Sequence, residues 1–241
     1  MDWLAARVIS KSDETPRVRS IVFECPMWGG GGHMAGQHVD IRLTAEDGYQ
    51  AQRSYSIASA PEDDHLTLTV ERLEDGEVSP YLFDELAPGD ELEMRGPIGR
   101  HFAWTHDTGG PLLMIAGGSG VVPFRAMLRH RETHDVATPA KLLYSARTVE
   151  DVIYREELDR AVDADGVEVI LVLTRAQPEG WRGFGRRIDA EILSEATWAP
   201  AAKPKTYVCG PTGFVETVAN CLVDLGHDPA SIKTERFGPT G

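Results

Sequence analysis

Residues 111–131 read PLLMIAGGSGVVPFRAMLRHR. An unbroken apolar run, a turn of small residues and then apolar positions at helical spacing describe a buried strand feeding a helix. A strand with no polar face belongs in a parallel sheet covered on both sides. The turn has chemical meaning too. Small residues let a phosphate approach the main chain, and a helix start offers unpaired N–H groups at the positive end of its dipole. Gly117, Gly118 and Gly120 supply the small residues, with Gly118 and Gly120 giving half of a G-x-G-x-x-G. Pro123 suits a first helical turn because it has no N–H to leave unpaired. Alone, this turn reads equally well as a tight structural one. Ser119 misses the G-x-S-x-G nucleophile elbow at its last position. No downstream histidine has an obvious carboxylate partner, so hydrolase chemistry is set aside.

Downstream the same alternation repeats. KLLYSA precedes VEDVIYREELDRAV, VEVILVLTR precedes a Gly-rich loop and DAEILSEAT, and TYVCG precedes GFVETVANCLVDLG, with SIKTERF near the end. Thr148 and Asp151 resemble a capping box, and Val215, Val218, Ala219 and Leu222 recur at helical spacing. This half reads as an α/β domain on a parallel sheet. Upstream of WTHDTGG (104–110) the rhythm differs. RSIVFECP, QHVDIRL, RSYSIAS, HLTLTVERL and GDELEMRGP are short extended runs divided by Gly, Pro and Asp, which suggests an antiparallel barrel or sandwich. WGGGGHMAG (28–36) reads as a tolerated loop insertion rather than a phosphate cradle, since no helix follows it. Two domains are expected, residues 1–106 and 107–241.

Composition narrows the chemistry. The chain has 241 residues, 41% of them hydrophobic and 26% charged, as expected of a soluble globular protein. No signal-peptide pattern opens it and no run reaches membrane-spanning length, so a cytoplasmic protein without membrane association is expected. A net charge of −14 argues against nucleic acid as a partner. Three scattered cysteines cannot supply the four thiolates of an iron–sulfur cluster. Cys25 and Cys221 are read as packing residues. His33, His38, His65, His101 and the others show no ligand spacing, so no metal site is expected. Arg125, Arg129 and Arg131 are read as a solvated helix face in preference to a docking patch for an acidic electron carrier.

One strand carries an awkward group. In QRSYSIAS (52–59), Arg53 stands where a half-buried strand would have an aliphatic residue, followed by Tyr55 and Ser56. A cation beside an aromatic makes a solvated edge or the wall of a site for something flat and anionic. Taken in order, RSYS (53–56), GEVS (76–79), GGSGVVP (117–123), Thr174-Arg175, CGP (209–211) and the terminal ERF (235–237) resemble the ferredoxin–NADP⁺ reductase family, across nearly the whole chain. The resemblance implies a six-stranded antiparallel flavin-binding barrel followed by a nucleotide-binding α/β domain.

It also implies roles for these residues. Arg53 would pair with the FAD pyrophosphate, Ser54 and Tyr55 would line the flavin, with Tyr55 stacking on its ring, and Ser56 would stand near N5. Strict alternation points Ser56 away from Tyr55, so the strand must twist or end there, or the backbone N–H serves instead. Gly76, Val78 and Ser79 would form the second phosphate element, which favours FAD over FMN, and Phe237 would cover the other flavin face. Gly117, Gly118, Gly120, Pro123, Gly210 and Pro211 would hold the nicotinamide nucleotide. Thr174, Arg175 and Arg182 would favour NADP(H), with NADH still open. Ser145 and Arg147 are not separable from turn residues. Cys209 would orient nicotinamide at C4, and Glu235 would assist proton movement or charge stabilisation. The implied activity passes hydride from NAD(P)H to FAD and then single electrons to a redox protein such as a ferredoxin or flavodoxin, with the chain acting as a monomer. Two alternatives are the reductase component of a multi-component oxygenase and a flavin-binding sensor.

Overall fold

The computed structural model describes residues 2–25, 32–134, 137–162 and 166–238. Residues 28–31 of the WGGGG stretch and 239–241 of the tail lie outside the described residues. The chain divides into two compact units, Met1–Thr105 with Val122–His134, and His106–Val121 with Asp135–Gly241.

The first unit is a six-stranded antiparallel sheet of β1 (Leu4–Thr15), β2 (Val18–Glu24), β3 (His38–Thr44), β4 (Gln50–Ser56), β5 (Leu66–Glu71) and β6 (Glu91–Ile98). The order is β4-β3-β6-β1-β2-β5. Past Ser56, Ile57 bridges Leu68 of β5, and Ala58 N–H donates to the Thr67 carbonyl at 2.8 Å, so the two edge strands meet and the sheet curls into a barrel. Alternate inward positions fill it: Val39 and Ile41, Leu66, Leu68 and Val70, Leu92 and Met94. β1 supplies the strand missing from the extended runs read in the sequence. Its burial alternates only at Ala6 and Val8, and a register shift before Ser10 breaks the pattern.

The segment after Ser79 forms a short helix with a π turn over Tyr81–Glu85. Val78, Leu82 and Leu86 enter the barrel core. Cations secure its carboxyl end: Lys11 Nζ donates to the Phe83 and Leu86 carbonyls at 3.0 and 2.6 Å, and Arg19 Nη1 to Phe83 at 2.6 Å. Helix α1 (Val122–Thr133) also belongs to this unit. Its arginines are not a solvated face. Arg125 donates to the Ala58 carbonyl, Arg129 pairs with Asp63 at 3.0 Å, and Arg131 is buried.

The second unit is a five-stranded parallel sheet of β7 (Leu112–Gly117), β8 (Ala140–Ala146), β9 (Val167–Leu173), β10 (Lys205–Pro211) and β11 (Ile232–Phe237), in the order β11-β10-β7-β8-β9. Helices α2 (Arg155–Val162), α3 (Ala190–Ala196) and α4 (Thr212–Asp224) complete it. Leu113, Ile115, Leu143 and Val208 share a core with Ile192 and Leu193 of α3 and with Val215, Val218 and Leu222 of α4. The stretch 149–162 is not one helix. The Thr148–Asp151 capping box closes a 3₁₀ turn over Val149–Asp151, and Tyr154, at φ 60°, breaks the chain direction before α2 begins. Burial of Val152, Ile153 and Tyr154 overrides the helical pattern there.

Candidate functional site

In the barrel, β4 ends at Ser56, one of the alternatives that the sequence leaves open. Tyr55 faces Val39 and Ser56 faces His38 in register, and the ladder then gives way to the isolated Ile57–Leu68 bridge. Tyr55 packs against the core while keeping part of its ring exposed. Burial pushes its phenol well above the usual tyrosine value despite the nearby Arg53 charge, so it is protonated at neutral pH. Ser54 turns to the other face, where its hydroxyl donates to Asp40 Oδ1 at 2.6 Å. Asp40 also accepts from Arg95 at 2.6 Å. Burial alone would raise the Asp40 carboxyl, but these two hydrogen bonds and the Arg95 charge hold it below its ordinary value.

Arg53 is exposed and its guanidinium is already engaged. Nη2 donates to Glu77 Oε2 at 2.6 Å, and the Tyr49 hydroxyl donates to the other oxygen of the same carboxylate. Glu77 lies inside the GEVS element, so the two stretches that the sequence connects with flavin phosphates meet through this ion pair. The Tyr49 bond and then Arg53 hold the Glu77 carboxyl below its ordinary range. Gly76 closes the turn with a hydrogen bond to the Leu73 carbonyl, and Ser79 Oγ accepts from Leu73 N–H at 3.1 Å. A Cβ on Gly76 would lie 2.8 Å from Ser79 Oγ. The Val78 side chain is fully buried in the barrel, so Val78 can meet a ligand only through its main chain.

In the second unit, β7, β8 and β9 run outward on one side and β10 and β11 on the other. The reversal falls between the carboxyl ends of β7 and β10, the place where open α/β sheets bind ligands. Gly117 and Gly210 meet there. A Cβ on Gly210 would lie 2.7 Å from the Phe214 ring and 3.3 Å from Gly117 Cα, and one on Gly117 would lie 2.9 Å from the same ring. A Cβ on Gly120 would sit 2.2 Å from the Cys209 carbonyl oxygen. Gly118, at φ +57°, has nothing within 4 Å of the corresponding position. The turn therefore packs on one side and is open on the other, which fits a main chain that a nucleotide can approach. Pro123 is buried in the first turn of α1 and counts with the first unit.

Cys209 is buried and lies opposite Glu235 in the β10–β11 ladder; Phe237 lies opposite Pro211 and is half-buried. Burial first, and the Glu235 carboxylate second, push the Cys209 thiol well up, so it remains a neutral thiol. At the end of β9, Thr174 Oγ1 donates to the Ala146 carbonyl at 3.2 Å, committing its proton within the fold. Arg175 N–H donates to the Arg147 carbonyl at 2.9 Å, which sets these two arginines side by side. Sequence reading left Arg147 among turn residues because only strand pairing reveals its neighbour. The following loop is folded back: Leu173 N–H donates to the Phe184 carbonyl, and the Gln177 side chain donates to the Leu173 carbonyl at 2.8 Å. Arg147, Arg175, Arg182 and Arg187 are all exposed and make no ion pair among the described residues, whereas Arg186 pairs with Asp189 and Glu191.

Residues 5–103 match the model of an oxidoreductase FAD-binding domain and residues 114–220 that of an oxidoreductase NAD-binding domain. The chain is 34% identical to ferredoxin–NADP reductase B of Sorangium cellulosum, over 96% of each. It belongs to the ferredoxin–NADP⁺ reductase-like family. This reductase-like chain is also 32% identical to the glycine betaine monooxygenase reductase subunit of Chromohalobacter salexigens over 85% of its own length. It spans 56–64% of the length of that and another curated relative. Among solved structures, the flavohem-like FAD/NAD-binding domain of a nitric oxide dioxygenase from Vibrio cholerae superposes with a TM-score of 0.87 at 26% identity, covering 99% of this chain and 100% of that one. Both cofactor-binding domains expected from the sequence are therefore present, in the expected order. Among the described residues, no helix is long and apolar enough to cross a membrane.

Proposed function

We propose that this reductase-like chain takes hydride from NADPH and delivers single electrons to a small redox protein such as a ferredoxin or flavodoxin, acting as a cytoplasmic monomer. FAD, when bound, supplies the exchange between two-electron and one-electron chemistry. The side chains bind, orient and control protons. Arg53 offers a planar fork suited to phosphate oxygens, Gly76 and Ser79 shape the neighbouring turn, and the Tyr55 ring offers an aromatic face. The Ser56 hydroxyl is available at the strand end. Cys209, held as a neutral thiol, lines the nucleotide crevice without acting as a nucleophile, and Glu235 stands opposite it in the ladder. Phe237, one strand over from Pro211, is the aromatic available to cover a flavin.

The observation that carries the reading is the switch-point crevice, where Gly117, Gly120 and Gly210 bring main chain together beside a protonated Cys209. The exposed arginines at 147, 175, 182 and 187 favour a nucleotide with an additional phosphate, NADPH over NADH, in a chain whose net charge is −14. The decisive experiment is anaerobic stopped-flow mixing with NADPH and with NADH, followed by a panel of electron acceptors. Faster flavin bleaching by NADPH and turnover with a small redox protein support the proposal. Absence of bleaching with either nucleotide overturns it in favour of a sensor. Replacing Arg175 by Ala is expected to reduce the NADPH/NADH preference about tenfold, since a charged hydrogen bond to phosphate contributes roughly 1.5 kcal/mol or more; an unchanged ratio removes the phosphate assignment.

A second reading, the reductase component of an oxygenase, is favoured by the same −14 charge, which opposes docking to an acidic ferredoxin. Turnover with an oxygenase component but not with ferredoxin would select it.

A further inference from the structure

Helix α1 carries a cluster outside the residues assigned to either cofactor. His130 and His134 are four residues apart, so both project from one helix face. Their ring centroids are 4.6 Å apart, and a ring nitrogen of one lies within 4.8 Å of a ring nitrogen of the other. Both converge on one atom. Glu62 Oε1 is 2.7 Å from His130 Nδ1 and 3.0 Å from His134 Nε2. Burial alone would raise the Glu62 carboxyl, but the bonds from His134 and His130 lower it overall, which leaves a carboxylate at neutral pH. The environment is graded. His130 is buried with the edge of Trp104 at 5.6 Å between ring centroids, whereas His134 and Glu62 reach solvent.

From this geometry we propose that His130, His134 and Glu62 form a binding site for a first-row divalent cation of the zinc or nickel class. Two imidazoles and a carboxylate are the borderline donors such ions prefer. The distances suit the exchange of protons for a metal. Tetrahedral ligand bonds of about 2.1 Å put neighbouring donor atoms about 3.4 Å apart. The two N–O separations here, 2.7 and 3.0 Å, are those of hydrogen bonds that a metal would replace, widening each by a few tenths of an ångström. Side-chain rotation would bring both imidazole nitrogens and the carboxylate onto one ion, and the exposed side admits water to complete the coordination. Of the neighbouring polar groups, Asp63 is engaged by Arg129 and His33 Nε2 lies 3.1 Å from the Ser59 carbonyl. The ion would tie the last turn of α1 to the segment after β4 that already receives Arg125 and Arg129. The sequence reading found no ligand spacing among the histidines; it passed over the helical spacing of His130 and His134, and Glu62, 68 residues before His130, has no local signal at all.

The test is calorimetric titration of the untagged, flavin-loaded, EDTA-stripped chain with zinc and with nickel, paired with thermal melting. One equivalent of zinc per chain and a raised melting temperature are expected. Substitutions His134→Gln and Glu62→Gln should each weaken binding at least tenfold, while His65→Gln, at an exposed histidine nearby in the sequence, should leave it unchanged. Because His134 is exposed, its variant retains the fold even if the Glu62 variant does not. No saturable binding, or affinity unchanged in His134→Gln, overturns the site.

Discussion

The two cofactor regions are built on opposite terms. At Arg53 in the barrel, function is assigned to a side chain that the fold does not need: it is exposed and, among the described residues, reaches only Glu77 and a neighbouring carbonyl. In the α/β unit it is assigned to the absence of side chains, and the glycines that open the crevice are also those that let β7, β10 and α4 pack. Function and stability should therefore separate at Arg53 and coincide at Gly120 and Gly210.

The strongest way to break this contrast is Gly120→Ala. Its Cβ would lie 2.2 Å from the Cys209 carbonyl oxygen, a clash with main chain that no rotamer relieves. A loss of about 3 kcal/mol in urea unfolding is expected. Gly118→Ala meets open space and incurs only its left-handed conformation, about 1 kcal/mol. Equal losses at both positions would mean that packing does not govern this turn.

Next in size, Asp40→Asn should destabilise the barrel by about 2 kcal/mol at neutral pH, because the acceptor of Arg95 and Ser54 loses its charge. The wild-type carboxyl has a folded pKa below its unfolded one. Its contribution is thus present above the ordinary aspartate value and lost as pH falls through the depressed one. The variant should show a flatter stability curve in that acid range, measured by thermal melts across pH.

Arg53→Ala, one strand position from Ser54, should behave in the opposite manner. The flavin Kd should rise at least tenfold, about 1.4 kcal/mol. The melting temperature of the flavin-free protein should barely move, since exposed ion pairs contribute roughly 0–1 kcal/mol. Fluorescence titration and melting together separate the two effects. The smallest effect sharpens the picture further. Glu77→Gln releases Arg53 and removes a negative charge from a proposed phosphate site, so the flavin Kd should fall about threefold at low salt. The gain should shrink as salt screens it. A weaker-binding variant would show instead that Glu77 orients Arg53 productively.

Legibility followed the same division. Apolar strands with helices at 3.6-residue spacing made the α/β half readable, and alternation revealed five barrel strands. β1 escaped because its alternation stops at the irregularity after Val8, and 149–162 misled because a helical pattern does not register the burial of Ile153 and Tyr154. The arginines of α1 looked solvated on a helical projection; Ala58 and Asp63, which receive two of them, are far away in sequence. Among the candidate site residues, Arg53, Tyr55, Cys209 and the glycines were singled out by type and order alone.

The sequence by itself determined the two-part architecture and the residue types in each site, because periodicity and turn chemistry are local properties. Only the tertiary structure decided the pairings: Arg53 with Glu77 and Tyr49, Arg147 with Arg175, Cys209 with Glu235, and two histidines with Glu62. Strand register and helix packing are set by the whole core. Contacts between residues distant in the chain acquire a distance only once that core has formed.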